Sequence, residues 1–330
     1  MKINTGIIMQ HMENPSPRLH HFLFQLFYIF LMSTTAINMA TAAPQDMIKG
    51  LYLAENSIQT SDGRIFISTA HGLYQLQEEA DGQWSKSMIT ANTSQGAPSR
   101  CYYFGLAEYA RTLYVLCAEN VLNVYFTPKH LLALDLDTPA PQLRQVGRLK
   151  TTGIPNGLAA DTEGQLYYAS SGILYPGNIH RLTLIGRFTL HEDRKVLQFA
   201  TSNPTGIKID KDRIYISSGP VLGLGMGKLR RYPLRRADLG KPTLITKRWG
   251  FFDDFSLLAN DGILLTNFLQ GRVLQIDEAS GNTVQSLSLA QPTSAIPLRT
   301  QADEAPLLLV TQRGHDQATL LPNIGHLIPR

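Results

Sequence analysis

Polar turns recur along this chain with a near-constant step of roughly 50 residues, and that step narrows the possible folds more than any other feature. Measured at the residue just before each β-branched or aromatic run, Gly63 to Arg111 is 48 residues, Arg111 to Gly164 is 53, Gly164 to Asp212 is 48 and Asp212 to Gly262 is 50. A last turn near Ala305 adds a step of 43. The runs themselves are Arg64 to Thr69, Thr112 to Leu116, Gln165 to Ala169, Arg213 to Ser217, Ile263 to Asn267 and Pro306 to Val310. Each is short and rich in strand-forming residues, and several follow a polar turn of Ser, Asp, Asn or Gly, as in a hairpin. Six units of this length each have room for about four strands, which predicts an all-β, six-bladed β-propeller over residues 44–330. Two β-sandwiches would supply as many strands but would not explain the constant step. Strands from the two ends of the chain are expected to share a blade and close the ring.

Composition agrees with a folded, strand-rich chain. Of 330 residues, 43% are hydrophobic and 17% charged, with 26 Gly and 18 Pro, which excludes collagen-like and disordered chains. The formal charge of +4 comes from 30 Lys and Arg against 26 Asp and Glu, too even a balance to imply nucleic acid. The stretch from Lys228 to Arg248 is basic, but it reads as a solvated outer hairpin.

The first 42 residues differ in kind. Lys2 and Arg18 precede an apolar run from Phe22 to Met32, and small residues follow up to Ala40-Thr41-Ala42. This order reads as a secretory signal peptide cleaved after Ala42, with an uncleaved anchor as the alternative and Met9 or Met12 as other possible starts. Eleven positions, one of them Gln25, are too few to cross a hydrocarbon core of about 30 Å. Cleavage would leave no integral span and a periplasmic or secreted protein. It takes two positive charges and one negative from the formal +4, leaving +3. Export permits disulfides, and the two cysteines, Cys101 and Cys117, flank a strand–turn–strand segment. They are either a bridge between adjacent strands or two buried thiols.

A propeller brings equivalent loops to one mouth of its channel, so residues at one phase of the repeat can converge. Glu55, Asn156 and Asp254 each lie eight positions before a turn glycine, at Gly63, Gly164 and Gly262. The turn of unit 4 is one residue shorter, and matching Thr205-Gly206-Ile207 to Asn156-Gly157-Leu158 places Thr205 at this phase, with Asn203 two residues earlier. In unit 2 the phase falls on Phe104, which cannot ligate. Carboxylate and amide oxygens converging on one point suit Ca²⁺. Asp253 could add a ligand or act as a general base. The bland reading is that these residues cap turns at the propeller mouth.

Pro155-Asn156-Gly157-Leu158-Ala159-Ala160-Asp161, Pro204-Thr205-Gly206-Ile207, and Asp253-Asp254-Phe255 through Gly271-Arg272-Val273 resemble the regucalcin/gluconolactonase and paraoxonase-type six-bladed propellers, within a strictosidine synthase-like superfamily. The resemblance spans about residues 50 to 280. It implies a channel calcium held by Glu55, Asn156 and Asp254, with Asn203 as a weaker ligand, and hydrolysis of a lactone or ester. Asp254 or Asp253 would activate water, and Thr205 and Phe104 would face the substrate. The departure is Thr205, where the family pattern has Asn; Asn203 could compensate across Pro204, or the site could be lost. The alternatives are a non-catalytic propeller that binds a protein or small ligand, and a metal-free strictosidine synthase-like enzyme. No GxSxG or HExxH motif supports a serine hydrolase or zincin.

Overall fold

The computed structural model describes residues 46–120, 126–172, 175–221, 223–235, 238–259, 261–299 and 307–321. The segment 1–42 expected to be a signal peptide and the expected turn at Ala305 lie outside them. The chain enters through strand β1 (Asp46–Lys49) and then builds five sheets in sequence. Blade 1 is β2 (Ser57–Gln59), β3 (Ile65–Ser68), β4 (Leu73–Glu78) and β5 (Trp84–Ile89). Blade 2 is β6 (Tyr102–Tyr109), β7 (Thr112–Ala118), β8 (Lys129–Asp135) and β9 (Arg144–Arg148). Blade 3 is β10 (Ile154–Ala160), β11 (Leu166–Ser171), β12 (Asn178–Ile185) and β13 (Thr189–Gln198). Blade 4 is β14 (Ser202–Asp210), β15 (Arg213–Pro220), β16 (Met226–Arg235) and β18 (Thr243–Trp249), with the short β17 (Asp238–Leu239) paired to β16. Blade 5 is β19 (Phe252–Leu257), β20 (Gly262–Asn267), β21 (Arg272–Asp277) and β22 (Thr283–Ser288).

Blade 6 is composite. Strands β23 (Pro292–Leu298), β24 (Leu307–Gln312) and β25 (Gln317–Leu321) come from the C-terminal end, and β1 adds the outermost strand, pairing Asp46 with Leu320 and Lys49 with Gln317. The ring is therefore closed by main-chain hydrogen bonds between the two ends of the described chain, which leaves no open inter-blade edge. The innermost strands β2, β6, β10, β14, β19 and β23 pack each against the next around the channel. All pairings within the blades are antiparallel.

The core lies between the blades. One cluster packs Phe66 and Leu73 of blade 1 on Tyr103, Leu113 and Leu132 of blade 2, and another packs Ile65 and Ile67 of blade 1 on Ile296 and Leu309 of blade 6. The second strand of each blade is covered on both faces, which is why these segments read as unbroken apolar runs rather than alternating ones. Strands β3, β7, β11 and β20 are buried along their whole length. Fourth strands such as β5 and β22 are half-buried or exposed, so their sequences are polar and left a weaker signal.

Cys101 and Cys117 form a disulfide across the start of blade 2, their Cα atoms 5.6 Å apart. The bridge closes a loop of sequence separation 16. Replacing both cysteines by Ala is expected to lower the unfolding free energy by about 3 kcal/mol, the loop-closure contribution for a ring of this size. Urea unfolding of the two proteins checks this, and an unchanged midpoint would show that the bridge adds nothing.

Candidate functional site

Five of the six innermost strands shift register near their start. The register shifts between Tyr103 and Leu106, Pro155 and Leu158, Pro204 and Ile207, Phe252 and Phe255, and Pro292 and Ser294. In blade 1 the equivalent kink has Ser68 bonding across to both Glu55 and Asn56. Such bulges re-aim side chains, and one bulge per blade at one level makes a ring of re-aimed residues at the channel. The first bulge residues are Glu55, Phe104, Asn156, Thr205, Asp253 and Thr293. The second are Asn56, Gly105, Gly157, Gly206, Asp254 and Ser294.

Hydroxyl groups hold this ring. In blades 1, 4, 5 and 6 the amide of the second bulge residue donates to a hydroxyl on the neighbouring strand: Asn56 to Ser68 at 3.0 Å, Gly206 to Ser217 at 2.8 Å, Asp254 to Thr266 at 2.9 Å and Ser294 to Thr311 at 2.9 Å. Three of these hydroxyls also reach a carbonyl of the following blade, Ser217 to Asp253 at 2.8 Å, Thr266 to Thr293 at 3.1 Å and Thr311 to Glu55 at 3.3 Å. Buried polar groups of the bulges are satisfied in this way, and neighbouring blades are locked in register. Blades 2 to 4 have glycine at the second position because the next blade comes too close. A Cβ on Gly157 would stand 2.5 Å from the Thr205 carbonyl and 2.8 Å from the Ile207 amide.

The register puts Asp253, not Asp254, at the phase of Glu55 and Asn156. Counting from the turn glycine misses this by one residue. Gly63 and Gly164 take the left-handed turn position, at φ +90° and +82°, but in blade 5 Asp261 takes it, at φ +57°, and Gly262 already belongs to the strand. Aspartate is among the few residues that tolerate that conformation.

Of the residues expected at the channel, four are already engaged. Glu55, 4% exposed, accepts from the Tyr102 hydroxyl and is ion-paired with Arg313, whose guanidinium also donates to the Tyr102 hydroxyl at 3.1 Å and lies 5.7 Å from the Phe268 ring centre. Asp254 is held by Lys208, whose Nζ is 3.0 Å from one carboxylate oxygen and 3.1 Å from the other. Ser294 donates to Asp254 at 3.1 Å and in turn accepts from Ser57 at 3.1 Å. The Thr205 hydroxyl lies 2.7 Å from the Phe252 carbonyl and 3.0 Å from Ser217. Asn203 accepts from the Gly172 amide and donates to the Val221 carbonyl, tying blade 3 to blade 4. Phe104 is buried and packs on Tyr102, ring centres 4.5 Å apart.

Asp253 and Asn156 are different. Asp253 is 8% exposed and its carboxyl makes no hydrogen bond among the described residues. Burial, and secondarily the charge of Asp254, pushes its pKa well above the ordinary carboxylate value. Asn156 is half-buried, and its side-chain amide also has no bonded partner among the described residues. A buried carboxyl of raised pKa without a hydrogen-bond partner is a candidate general base.

A calcium ion does not fit this arrangement. It needs six to eight oxygens with carboxylates open to it. Two of the three carboxylates at this level carry cations of the chain itself, which leaves Asp253 as a single open carboxylate among them. No cluster of three or more His, Cys, Asp or Glu suited to a metal occurs among the described residues. Lys208, Arg313 and Tyr102 were not legible as site residues in the sequence, because each reaches the ring from another blade or from the far end of the chain.

These features define a six-bladed propeller with a polar ring of bulges at its channel. No family model matches the chain, and no curated protein matches its sequence. Solved structures do match in fold. A gluconolactonase from Xanthomonas campestris superposes with a TM-score of 0.59 at 13% identity, covering 88% of this chain and 99% of that one. A calcium-binding regucalcin from Agrobacterium tumefaciens gives 0.59 at 17% identity, over 86% and 95%. A PQQ-bound aldose sugar dehydrogenase from Streptomyces coelicolor gives 0.58 at 11%, over 86% and 97%. The shared property is the propeller architecture. Among the described residues no helix is long and apolar enough to cross a membrane.

Proposed function

We propose that the chain is an exported hydrolase of small lactones or esters, acting at the ring of bulges with Asp253 as the base that activates water. The observation that carries this reading is Asp253 itself: nine-tenths buried, without a hydrogen-bond partner among the described residues, and of raised pKa. Ionised, its carboxylate takes a proton from water as the water attacks the carbonyl carbon. The Asn156 amide, at the same level two blades away, is a donor for the oxygen on which negative charge develops. Asp254 is better suited to bearing the Lys208 pair than to the reaction, because its oxygens are already shared with Lys208 and Ser294. The likeness in fold to a gluconolactonase supports the substrate class. Calcium dependence, which the family resemblance implies, is left out of this reading because two of the three carboxylates at this level, Glu55 and Asp254, are paired with cations of the chain, which leaves Asp253 alone open to an ion. The disulfide fits an oxidising compartment outside the cytoplasm.

A panel of lactones and aryl esters, assayed with the purified mature protein and with Asp253→Asn, tests the assignment. Turnover by the wild type that falls on the order of 10²- to 10⁴-fold in the variant is the expected result. Turnover unchanged by the substitution would remove Asp253 from the mechanism. The mass of the exported protein tests cleavage after Ala42.

A further inference from the structure

We infer that Lys208 and Arg313 are built-in counter-ions that occupy the carboxylates Asp254 and Glu55, so that the channel takes up no divalent cation and draws its positive charge from the chain. The inference concerns the same ring as the proposed hydrolase site but does not depend on any turnover.

Two pairs carry it, one between blades 4 and 5 and the other between blades 6 and 1. Lys208 belongs to the innermost strand of blade 4, two residues past the bulge glycine Gly206. Because Gly206 has no side chain, the Asp254 carboxylate can lie against it: a Cβ there would meet Asp254 Oδ1 at 2.8 Å. Lys208 then reaches both carboxylate oxygens, and the Ser294 hydroxyl supplies the remaining donor. The ammonium donates to Oδ2 and lies 3.0 Å from Oδ1, which has no hydrogen bond among the described residues, so it is the charge of Lys208 that opposes a metal at this carboxylate. Arg313 comes from the turn between β24 and β25, at the other end of the chain, and sits on Glu55, with Tyr102 bonded to both of them.

Each of these carboxylates is almost fully buried, Asp254 at 2% and Glu55 at 4% exposed. An ion of charge +2 entering here would have to displace two cations, or share buried anions with them, and like charges at such separations repel strongly. Positive charge that a metal would otherwise bring is thus already present and fixed.

Metal content and thermal unfolding of the wild-type mature protein, with calcium from zero to 10 mM and with chelator, give the first test. The expected result is no retained calcium and a Tm unmoved by either addition. One tightly held calcium per chain, lost to chelator with a fall in Tm, would overturn the inference. The second test is Lys208→Met, which leaves Asp254 without its counter-ion. Calcium is then expected to bind and to raise the Tm of the variant by roughly 5 °C at saturating ion, while the wild type stays flat. A variant as indifferent to calcium as the wild type would show that Lys208 is not what keeps the ion out. If the single variant does not fold, the double substitution Lys208→Met/Asp254→Asn removes both charges. It is expected to fold and to ignore calcium, whereas a double variant as unstable as the single one would overturn the pairing. None of these readouts involves a substrate, so a failed hydrolase screen leaves them intact, and their failure leaves the hydrolase reading open to its own test.

Discussion

Asp253→Asn is expected to make the protein more stable while it lowers turnover on the order of 10²- to 10⁴-fold. The carboxyl is nine-tenths buried without a hydrogen-bond partner among the described residues, and desolvation, aided by the neighbouring Asp254 charge, holds its pKa well above the ordinary value. The unfolded chain releases this proton near pH 4, at about 3.9. Between that value and the raised folded value, the native state binds a proton that the unfolded state has lost. Stability therefore falls as pH rises through the window, by about 1.4 kcal/mol for each unit by which the pKa is raised. Below the window both states are protonated and the residue costs nothing. Asparagine has nearly the same shape and cannot ionise, so the variant escapes the penalty. Urea unfolding of both proteins from pH 4 to pH 8 is expected to show nearly equal stability at the acid end and a gap in favour of the variant that widens with pH. A gap independent of pH would mean that Asp253 does not ionise against its surroundings, and the case for it as a base would fall with it. Turnover should follow the opposite course, rising with pH as Asp253 loses its proton. A residue that weakens the fold and carries the reaction is a familiar trade at functional sites.

Gly157→Ala is expected to cost about 3 kcal/mol or more, at the top of the range for overpacked interiors. The Cβ would stand 2.5 Å from the Thr205 carbonyl, 2.8 Å from the Ile207 amide and 2.9 Å from the Gly206 Cα, all of them backbone atoms of the next blade. Backbone cannot step aside as the end of a long side chain can, so blades 3 and 4 would have to separate. That in turn would loosen the position of Thr205 and the bond from its hydroxyl to Phe252. Gly164→Ala is the informative contrast. There the three atoms nearest a Cβ all belong to the Tyr109 ring, a side chain that can shift where backbone cannot, and the left-handed backbone at φ +82° adds to the cost. A urea midpoint for Gly157→Ala within error of the wild type would show that the blades are not in the tight contact described.

The blade count was legible because the turns are chemically marked and the strands behind them are buried on both faces. Ile65 to Ser68, Leu166 to Ser171 and Gly262 to Asn267 announce themselves as apolar runs. Ring closure by β1 was also within reach, since a closed propeller needs its ends to meet. The candidate site was legible only in outline. Glu55 and Asn156 are placed by the repeat, but glycine was a poor marker of the turn in blade 5. Asp261 accepts the left-handed conformation there, which moves the phase from Asp254 to Asp253.

What the sequence determined by itself is therefore everything that repeats: a step of roughly 50 residues, the strand-forming runs and the level at which polar residues gather. The state of those polar residues was decided by tertiary structure alone. Lys208 lies 46 residues from Asp254, Tyr102 lies 47 from Glu55, and Arg313 reaches Tyr102 across 211. Charge pairing and desolvation depend on distance through space, and in a ring of blades residues far apart along the chain are brought side by side. Whether a carboxylate meets a lysine, an arginine or nothing at all is settled only when the ring closes.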